Sequence, residues 1–132
     1  MACAATASCV FCHVDKTKIV TENDLAFAVL DIAPATPLHS LILPKRHIAS
    51  FFDLYETEVL AITRLVNQLR EQISSQDAKV EGFNVGINIG EVAGQTIFHC
   101  HYHLIPRRRG DVFDPRGGVR RIIPLNRTPS SK

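Results

Sequence analysis

Apolar residues along the chain follow two periods, and the switch between them divides it into elements. In residues 18–22 and 25–32, β-branched and apolar positions alternate with polar or small ones, as strands do, and the turn-prone pair Asn23-Asp24 lies between them. A hairpin is predicted. Ala33-Pro34-Ala35-Thr36-Pro37 breaks the pattern, which resumes at His39 as a third strand ending at Pro44. Asp53 and Glu56 have the spacing of a capping box, which places a helix start there. Val59, Ile62, Leu65, Val66, Leu69 and Ile73 then recur at steps of three and four, the stripe of one long helix running to about Ser75. Alternation returns in residues 83–89, residues 90–94 form a loop, and residues 97–105 make the last strand. From Pro106 onward Pro, Gly and Arg predict loop and extended chain. The order β-β-β-α-β-β implies a mainly antiparallel sheet with helices on one side, an α+β domain.

Composition narrows this to one compact unit. The 132 residues are 45% apolar and 21% charged, which excludes a disordered tail, a collagen-like repeat and a coiled coil. No apolar run approaches the ~20 residues needed to cross a bilayer, so no membrane partner is expected. Residues 1–8 carry no Lys or Arg and read as a loose terminus, residues 9–125 as the domain, and residues 126–132 as a second loose end. A net charge of +2 is too small for the broad basic face that nucleic-acid binding demands. Four cysteines, with only Cys9 and Cys12 paired by spacing, fit a reducing cytoplasm better than a disulfide framework.

Half of the six histidines fall on alternate positions of one predicted strand: His99, His101 and His103. Period two puts these imidazoles on one face and leaves Phe98, Cys100, Tyr102 and Leu104 to anchor the other. An ordinary solvent face would mix Lys, Thr and Glu. Convergence on one metal ion is disfavoured, since His99 and His103 lie ~13–14 Å apart along an extended strand. A neutral imidazole is instead a competent nucleophile when its other nitrogen is held as N–H, and phosphorus is a fitting target because neighbouring His and Arg can contact its oxygens. Cys9-Val-Phe-Cys12 is a second motif, compatible with buried thiols, a redox pair or half of a structural zinc site.

The run His-Cys-His-Tyr-His-Leu-Ile at 99–105 resembles the signature of the histidine-triad (HIT) family. Asp31-Ile-Ala-Pro, the segment from Leu38 through Pro44-Lys-Arg to His47, and Ala93-Gly-Gln-Thr96 extend the likeness from Cys9 to about Asp111. The resemblance implies a HIT-like fold: a five-stranded, mainly antiparallel sheet with one long helix and a shorter one, two sheets joining across a homodimer. It implies a hydrolase that needs no catalytic cofactor and acts at the α-phosphorus of a purine nucleotide or dinucleoside polyphosphate. His101 would attack to give a nucleotidyl-histidine, and His103 and His39 would contact the phosphate or leaving group. Gln95 and Thr96 would bind phosphate oxygens, although loop capping also explains them. Asp31 would hold the ribose hydroxyls and Asn88 would order the site. Phe11, Val29 and Ile32 would wall the base, or simply pack in the core. By likeness to the uridylyltransferase relatives and some bacterial HIT proteins, Cys9, Cys12, His47 and His99 would hold a structural zinc.

Three functions remain open at this point. Dinucleoside-polyphosphate hydrolysis leads. Arg107, Arg108, Arg109, Arg116, Arg120 and Arg121 crowd the region after the triad; most such runs are solvated faces, but here one or two would grip a distal phosphate or the second nucleotide of a dinucleotide. A purine-nucleoside phosphoramidase is the alternative, and a nucleotide-binding adaptor without turnover is the third. The C-terminal segments look like those of bacterial HIT hydrolases and the Fhit-type branch. Leu38 stands where many members have Gly, and the Trp-containing end of the Hint branch is missing.

Overall fold

The computed structural model describes residues 8–124, so the expected loose ends lie outside the described residues except for Ser8. Five strands are present: β1 (Ile19–Glu22), β2 (Ala26–Leu30), β3 (Ser40–Pro44), β4 (Val80–Ile87) and β5 (Tyr102–Arg108). They form one antiparallel sheet in the order β1-β2-β3-β5-β4. One α-helix, α1 (Glu56–Gln76), lies between β3 and β4. Among the described residues the expected shorter helical piece takes the form of 3-10 turns such as Val10–His13 and Phe51–Asp53.

Asn23 makes the first hairpin. Its Oδ1 accepts from the backbone N–H groups of Leu25 and Ala26, and its Nδ2 donates to the Ala61 carbonyl on α1, so one side chain both closes the turn and ties it to the helix. Period two then sorts β2 and β3. Ala26, Ala28 and Ile42 face α1 and meet Ile62, Leu65, Leu69 and Ile73, the stripe that the sequence predicts. Phe27, Val29, Leu41 and Leu43 face the other way, where Phe11, Val14 and Ile19 pack on them. Central strands buried on both faces explain why residues 40–44 are all buried.

Three elements, β4, α1 and β5, differ from expectation in their boundaries. β4 begins at Val80, three residues before the expected start, because Val80 and Gly82 pair with Arg108 and Arg107 of the lengthened β5, and it ends at Ile87. The helix does not start at the Asp53–Glu56 box, because Asp53 closes a 3-10 turn whose cap is Ser50, its Oγ accepting from Phe52 N–H. The box that forms is two residues later, with Glu58 accepting the Tyr55 N–H at 2.8 Å. The same buried carboxylate takes two hydrogen bonds from Arg46, at 2.9 and 2.8 Å, and the guanidinium holds it below the usual Glu range.

The last strand starts late and ends late. Residues 97–101 are irregular, with Cys100 N–H donating to the Ile48 carbonyl, and regular pairing begins at Tyr102. β5 then runs through Pro106 to Arg108, which the sequence reads as loop. β3 pairs no further than Leu104, so the N–H that Pro106 lacks has no strand to meet on that side. Of the residues expected to anchor the strand, Cys100 and Leu104 are buried, Tyr102 packs on the core, and Phe98 is half exposed.

Removing Glu58 leaves a guanidinium and a helix-entry N–H without their shared acceptor. Glu58→Ala is expected to lower stability by about 3 kcal/mol, read as a fall in the urea midpoint at unchanged slope. A loss below about 0.5 kcal/mol would show that the pair behaves as a surface ion pair.

Candidate active site and metal centre

The site lies on the sheet face opposite α1. Asp31 follows β2, His39 precedes β3, and His103 sits in β5 opposite Leu41 on one side and Gly86 on the other. Asp31 N–H donates to the His39 carbonyl, which extends the β2–β3 pairing by one step and sets these two side by side. His39 and His103 stand with ring centroids 5.1 Å apart, and His101 and His103 with 5.2 Å. The structure thus brings together Asp31, His39, His101 and His103. It does not put all three triad rings on one strand face, because His99 and His101 precede β5 in the irregular stretch, and the His99 ring turns away to Cys9, Cys12 and His47.

Backbone groups fix the proton on each ring. His101 Nδ1 lies 2.8 Å from the His99 carbonyl, which can only accept, so Nδ1 carries the hydrogen and Nε2 keeps its lone pair. His39 Nδ1 lies 2.9 Å from the Ala35 N–H, which can only donate, so Nδ1 is bare and Nε2 carries the hydrogen. That Nε2–H donates to His103 Nδ1 at 2.9 Å, and the carboxylate of Asp31 lies 3.4 Å away. His103 is left with its hydrogen on Nε2, a buried donor without a partner among the described residues. Desolvation pushes the pKa of both His39 and His103 below the ordinary imidazole value, partly offset by Asp31.

The same reasoning separates two clusters that could hold a metal. Cys9, Cys12, His47 and His99 place one ligand atom each within 4.8 Å of one another, and so do Asp31, His39 and His103. In the first, His99 is fully buried and its Nε2 donates to the Pro44 carbonyl at 2.8 Å, which leaves Nδ1 bare and facing sulfur. His99 Nδ1 stands 3.6 Å from Cys9 Sγ and 3.8 Å from Cys12 Sγ, and His47 Nδ1 stands 3.2 Å from Cys12 Sγ. Tetrahedral zinc, with bonds of about 2.0–2.1 Å to N and 2.3 Å to S, separates such ligands by roughly 3.5 Å. The donor set fits zinc. Cys12 is disulfide-bonded here, so all four donors are available only to the reduced chain. In the second cluster the Ala35 N–H forces a hydrogen onto His39 Nε2, the atom a metal would need. That cluster is a hydrogen-bond chain.

Other expected residues divide. Phe11 packs its ring on His101 at 5.1 Å and on His99 at 5.9 Å, and Val29 is buried beside it in the core, whereas Ile32 is fully exposed. Thr96 is exposed, and Asn88 is exposed beside Gly94. Gln95 departs from a phosphate-binding role. Its Nε2 donates to the Ala49 and Ile97 carbonyls and its Oε1 accepts from Gly90 N–H, so both donors are spent bracing the loop. Positive φ at Gly90 and Gly94 lets that loop close around the buried amide.

The arginine run also departs from expectation. Arg107 pairs with Asp111 and Asn84, Arg108 with Asp77, Arg109 with Glu81, and Arg116 and Arg121 with Asp114. Five of the six are thus matched to groups within the chain, and Arg120 lies beside Arg116 and Arg121 in the C-terminal turn. The groups that sequence reading missed are the carbonyls of Pro44 and His99 and the N–H of Ala35, which no side-chain motif marks.

Comparison with known proteins agrees with this geometry. The family model for the HIT domain matches residues 13–110. The adenosine 5'-monophosphoramidase of Schizosaccharomyces pombe is 36% identical over 104 residues, covering 76% of this chain and 74% of that protein. A crystal structure of a HIT family protein from Bacillus anthracis superposes with a TM-score of 0.73 at 35% identity, covering 81% of this chain and 78% of the other. A zinc-bound histidine triad family protein from Mycobacterium smegmatis gives 0.73 at 32% identity, covering 81% and 80%. With sheet, helix, histidines and family match in agreement, the chain belongs to the histidine-triad (HIT) family.

Proposed function

We propose that the protein hydrolyses nucleoside 5'-phosphoramidates and related adenylyl conjugates at the α-phosphorus. The observation that carries this reading is the His101–His99 carbonyl hydrogen bond, which leaves Nε2 of His101 as a bare nucleophile. In the first step the Nε2–P bond forms as the bond from phosphorus to the leaving amine breaks, the amine taking a proton from solvent as it leaves. Water then attacks phosphorus, the Nε2–P bond breaks, the water's proton returns to solvent, and the nucleoside monophosphate departs from a regenerated His101. His103, kept neutral by burial and by His39, donates its Nε2–H to a phosphate oxygen as a fixed hydrogen-bond donor. Asp31 accepts from the ribose hydroxyls, Thr96 offers its hydroxyl to the phosphate, Phe11, Val29 and Ile32 border the base, and Asn88 lies at the loop edge.

The named relative in S. pombe supports the phosphoramidate over the dinucleoside polyphosphate. Arg107 and Arg108, the arginines nearest the triad in sequence, are already engaged by Asp111, Asn84 and Asp77, which weakens the polyphosphate reading. An adaptor without turnover would have no use for a nucleophile held in one tautomer. Cys9, Cys12, His47 and His99 would hold zinc, which when bound ties the N-terminal segment to the end of β3 and to His99 and so contributes to folding. Zinc binding needs the reduced form of Cys12, and that requirement supports a reducing, cytoplasmic setting. β4 is an open sheet edge of eight residues, the edge across which two copies would join as a homodimer. No helix among the described residues is long and apolar enough to cross a membrane.

His101→Ala is expected to lower kcat by at least about a thousandfold with the circular dichroism spectrum and unfolding midpoint unchanged; turnover within about tenfold of wild type would place the nucleophile elsewhere. The acid side is a second test. His39 and His103 have folded pKa values below 6.5, so above pH 6.5 both are neutral in the folded and the unfolded chain. As pH falls below 6.5 the unfolded imidazoles take up protons that the folded ones resist, and stability drops until the folded rings protonate too. Unfolding midpoints should therefore fall from pH 7 to pH 5.5, less steeply in His103→Asn; equal pH slopes in the two proteins would contradict the assignment. Chelation of the reduced, zinc-loaded protein should lower the melting temperature, and an unchanged melting curve would remove the structural zinc.

A further inference from the structure

The tautomer of His39 depends on one backbone N–H in an exposed loop, and that loop is fastened at few points. Ala35, whose N–H meets His39 Nδ1, is exposed. The next four residues, Thr36-Pro37-Leu38-His39, form a β-turn closed by His39 N–H donating to the Thr36 carbonyl at 3.1 Å. Pro37 at the second position and a φ of +71° at Leu38 in the third are the marks of a type II turn. A leucine in the left-handed region is strained by about 1–2 kcal/mol, and its packing against the helix-side core helps hold it there. From outside the turn, Thr36 Oγ1 donates to the Pro106 carbonyl at 2.7 Å, and Arg108 Nη2 donates to the Pro37 carbonyl at 3.0 Å. Both anchors belong to β5, the strand that carries His103.

We infer that Thr36 is a positioning residue for catalysis, its hydroxyl pinning the Ala35 N–H to His39 and thereby setting the tautomers of His39 and His103 together. The logic is a chain of single hydrogens. With the Ala35 N–H in place, His39 must carry its hydrogen on Nε2 and give it to His103 Nδ1, which leaves His103 Nε2–H as the donor for phosphate. If the loop swings away, the remaining bias is the Asp31 carboxylate, 3.4 Å from His39 Nε2 and 4.0 Å from His103 Nδ1, which can accept from either ring; His39 can then move its hydrogen to Nδ1, and its Nε2 becomes an acceptor. His103 then answers with Nδ1–H, and its Nε2 loses the hydrogen. One lost hydroxyl contact lets two rings change tautomer together. His101 is untouched by this, because its own hydrogen is fixed by the His99 carbonyl. The effect should appear chiefly in kcat, because the His103 donor gains most when negative charge builds on the phosphate oxygens in the transition state.

This inference rests on the hydrolase reading for its kinetic arm and on the ring geometry alone for its spectroscopic arm. The experiment compares wild type, Thr36→Val and Thr36→Ser with adenosine 5'-phosphoramidate as substrate, and records long-range proton–nitrogen correlations of the labelled imidazoles. In wild type, His39 should read as protonated on Nε2 and bare on Nδ1. Thr36→Val should show a mixture of tautomers at His39 and His103 and a kcat lowered about tenfold, with KM within about twofold; Thr36→Ser, which keeps the hydroxyl, should match wild type in both. A purely structural hydroxyl would lower the melting temperature of Thr36→Val and leave tautomers and kcat as they were, which overturns the inference. Arg108→Gln, which frees Pro37 and spares the Thr36 hydroxyl, gives a second reading on the same ring: a fraction of the second tautomer supports the inference, and unchanged spectra in both variants refute it. Absence of wild-type turnover would instead count against the hydrolase reading, while the ring spectra still decide the tautomer claim.

Discussion

A backbone carbonyl can only accept a hydrogen and a backbone N–H can only donate one, and three such groups determine what the imidazoles of this protein can do. The Pro44 carbonyl turns the bare nitrogen of His99 toward two cysteines. The His99 carbonyl turns the bare nitrogen of His101 outward. The Ala35 N–H forces His39 to hand its hydrogen to His103. Identical side chains thus become a metal ligand, a nucleophile and a donor pair without any difference in residue type. His99 joins two of these roles, since its ring belongs to the zinc-fitting cluster and its carbonyl orients the nucleophile. Metal binding and catalysis would share one residue and no step.

The sheet supplies the rigidity that this arrangement needs. β2 and β3 are buried on both faces, by α1 on one side and by the N-terminal segment around Phe11 on the other. Phe11 also packs on His101 and lies between the core and the site. The buried Arg46–Glu58 pair fixes the end of β3 to the start of α1, one residue before His47. Leu38 is the one non-glycine residue with positive φ among the described residues, and it directly precedes His39. Strain placed beside a site and held by packing elsewhere is the usual sign that a side chain's direction matters.

Much of this was legible in the sequence because it depends on local pattern. Alternation located the first three strands to within two residues or so, the three-and-four spacing found α1, and Asn23-Asp24 marked the hairpin. The strand read at residues 97–105 went wrong where its partners were tertiary: Cys100 N–H donates to the Ile48 carbonyl, the Gln95 amide bridges the Ile97 and Ala49 carbonyls, and β5 continues past a proline because β3 has already ended. The same reason explains Asp53, where the true helix box was chosen by Arg46, a residue on another element. Gln95 and the arginines read as ligands because their types suit phosphate, whereas Ala49, Asp77 and Glu81, the partners of Gln95, Arg108 and Arg109, are brought close only by folding. The zinc-fitting set joins residues up to 90 positions apart, and only the family likeness pointed to it.

The central claim is that His101 is poised by its neighbour's carbonyl. The most direct measurement is the nitrogen chemical shift of the His101 ring in the resting protein at neutral pH, assigned by its absence in His101→Ala. The account predicts a single tautomer with the hydrogen on Nδ1 and a bare Nε2; the tautomer with its hydrogen on Nε2, or an even mixture of the two forms, would contradict it.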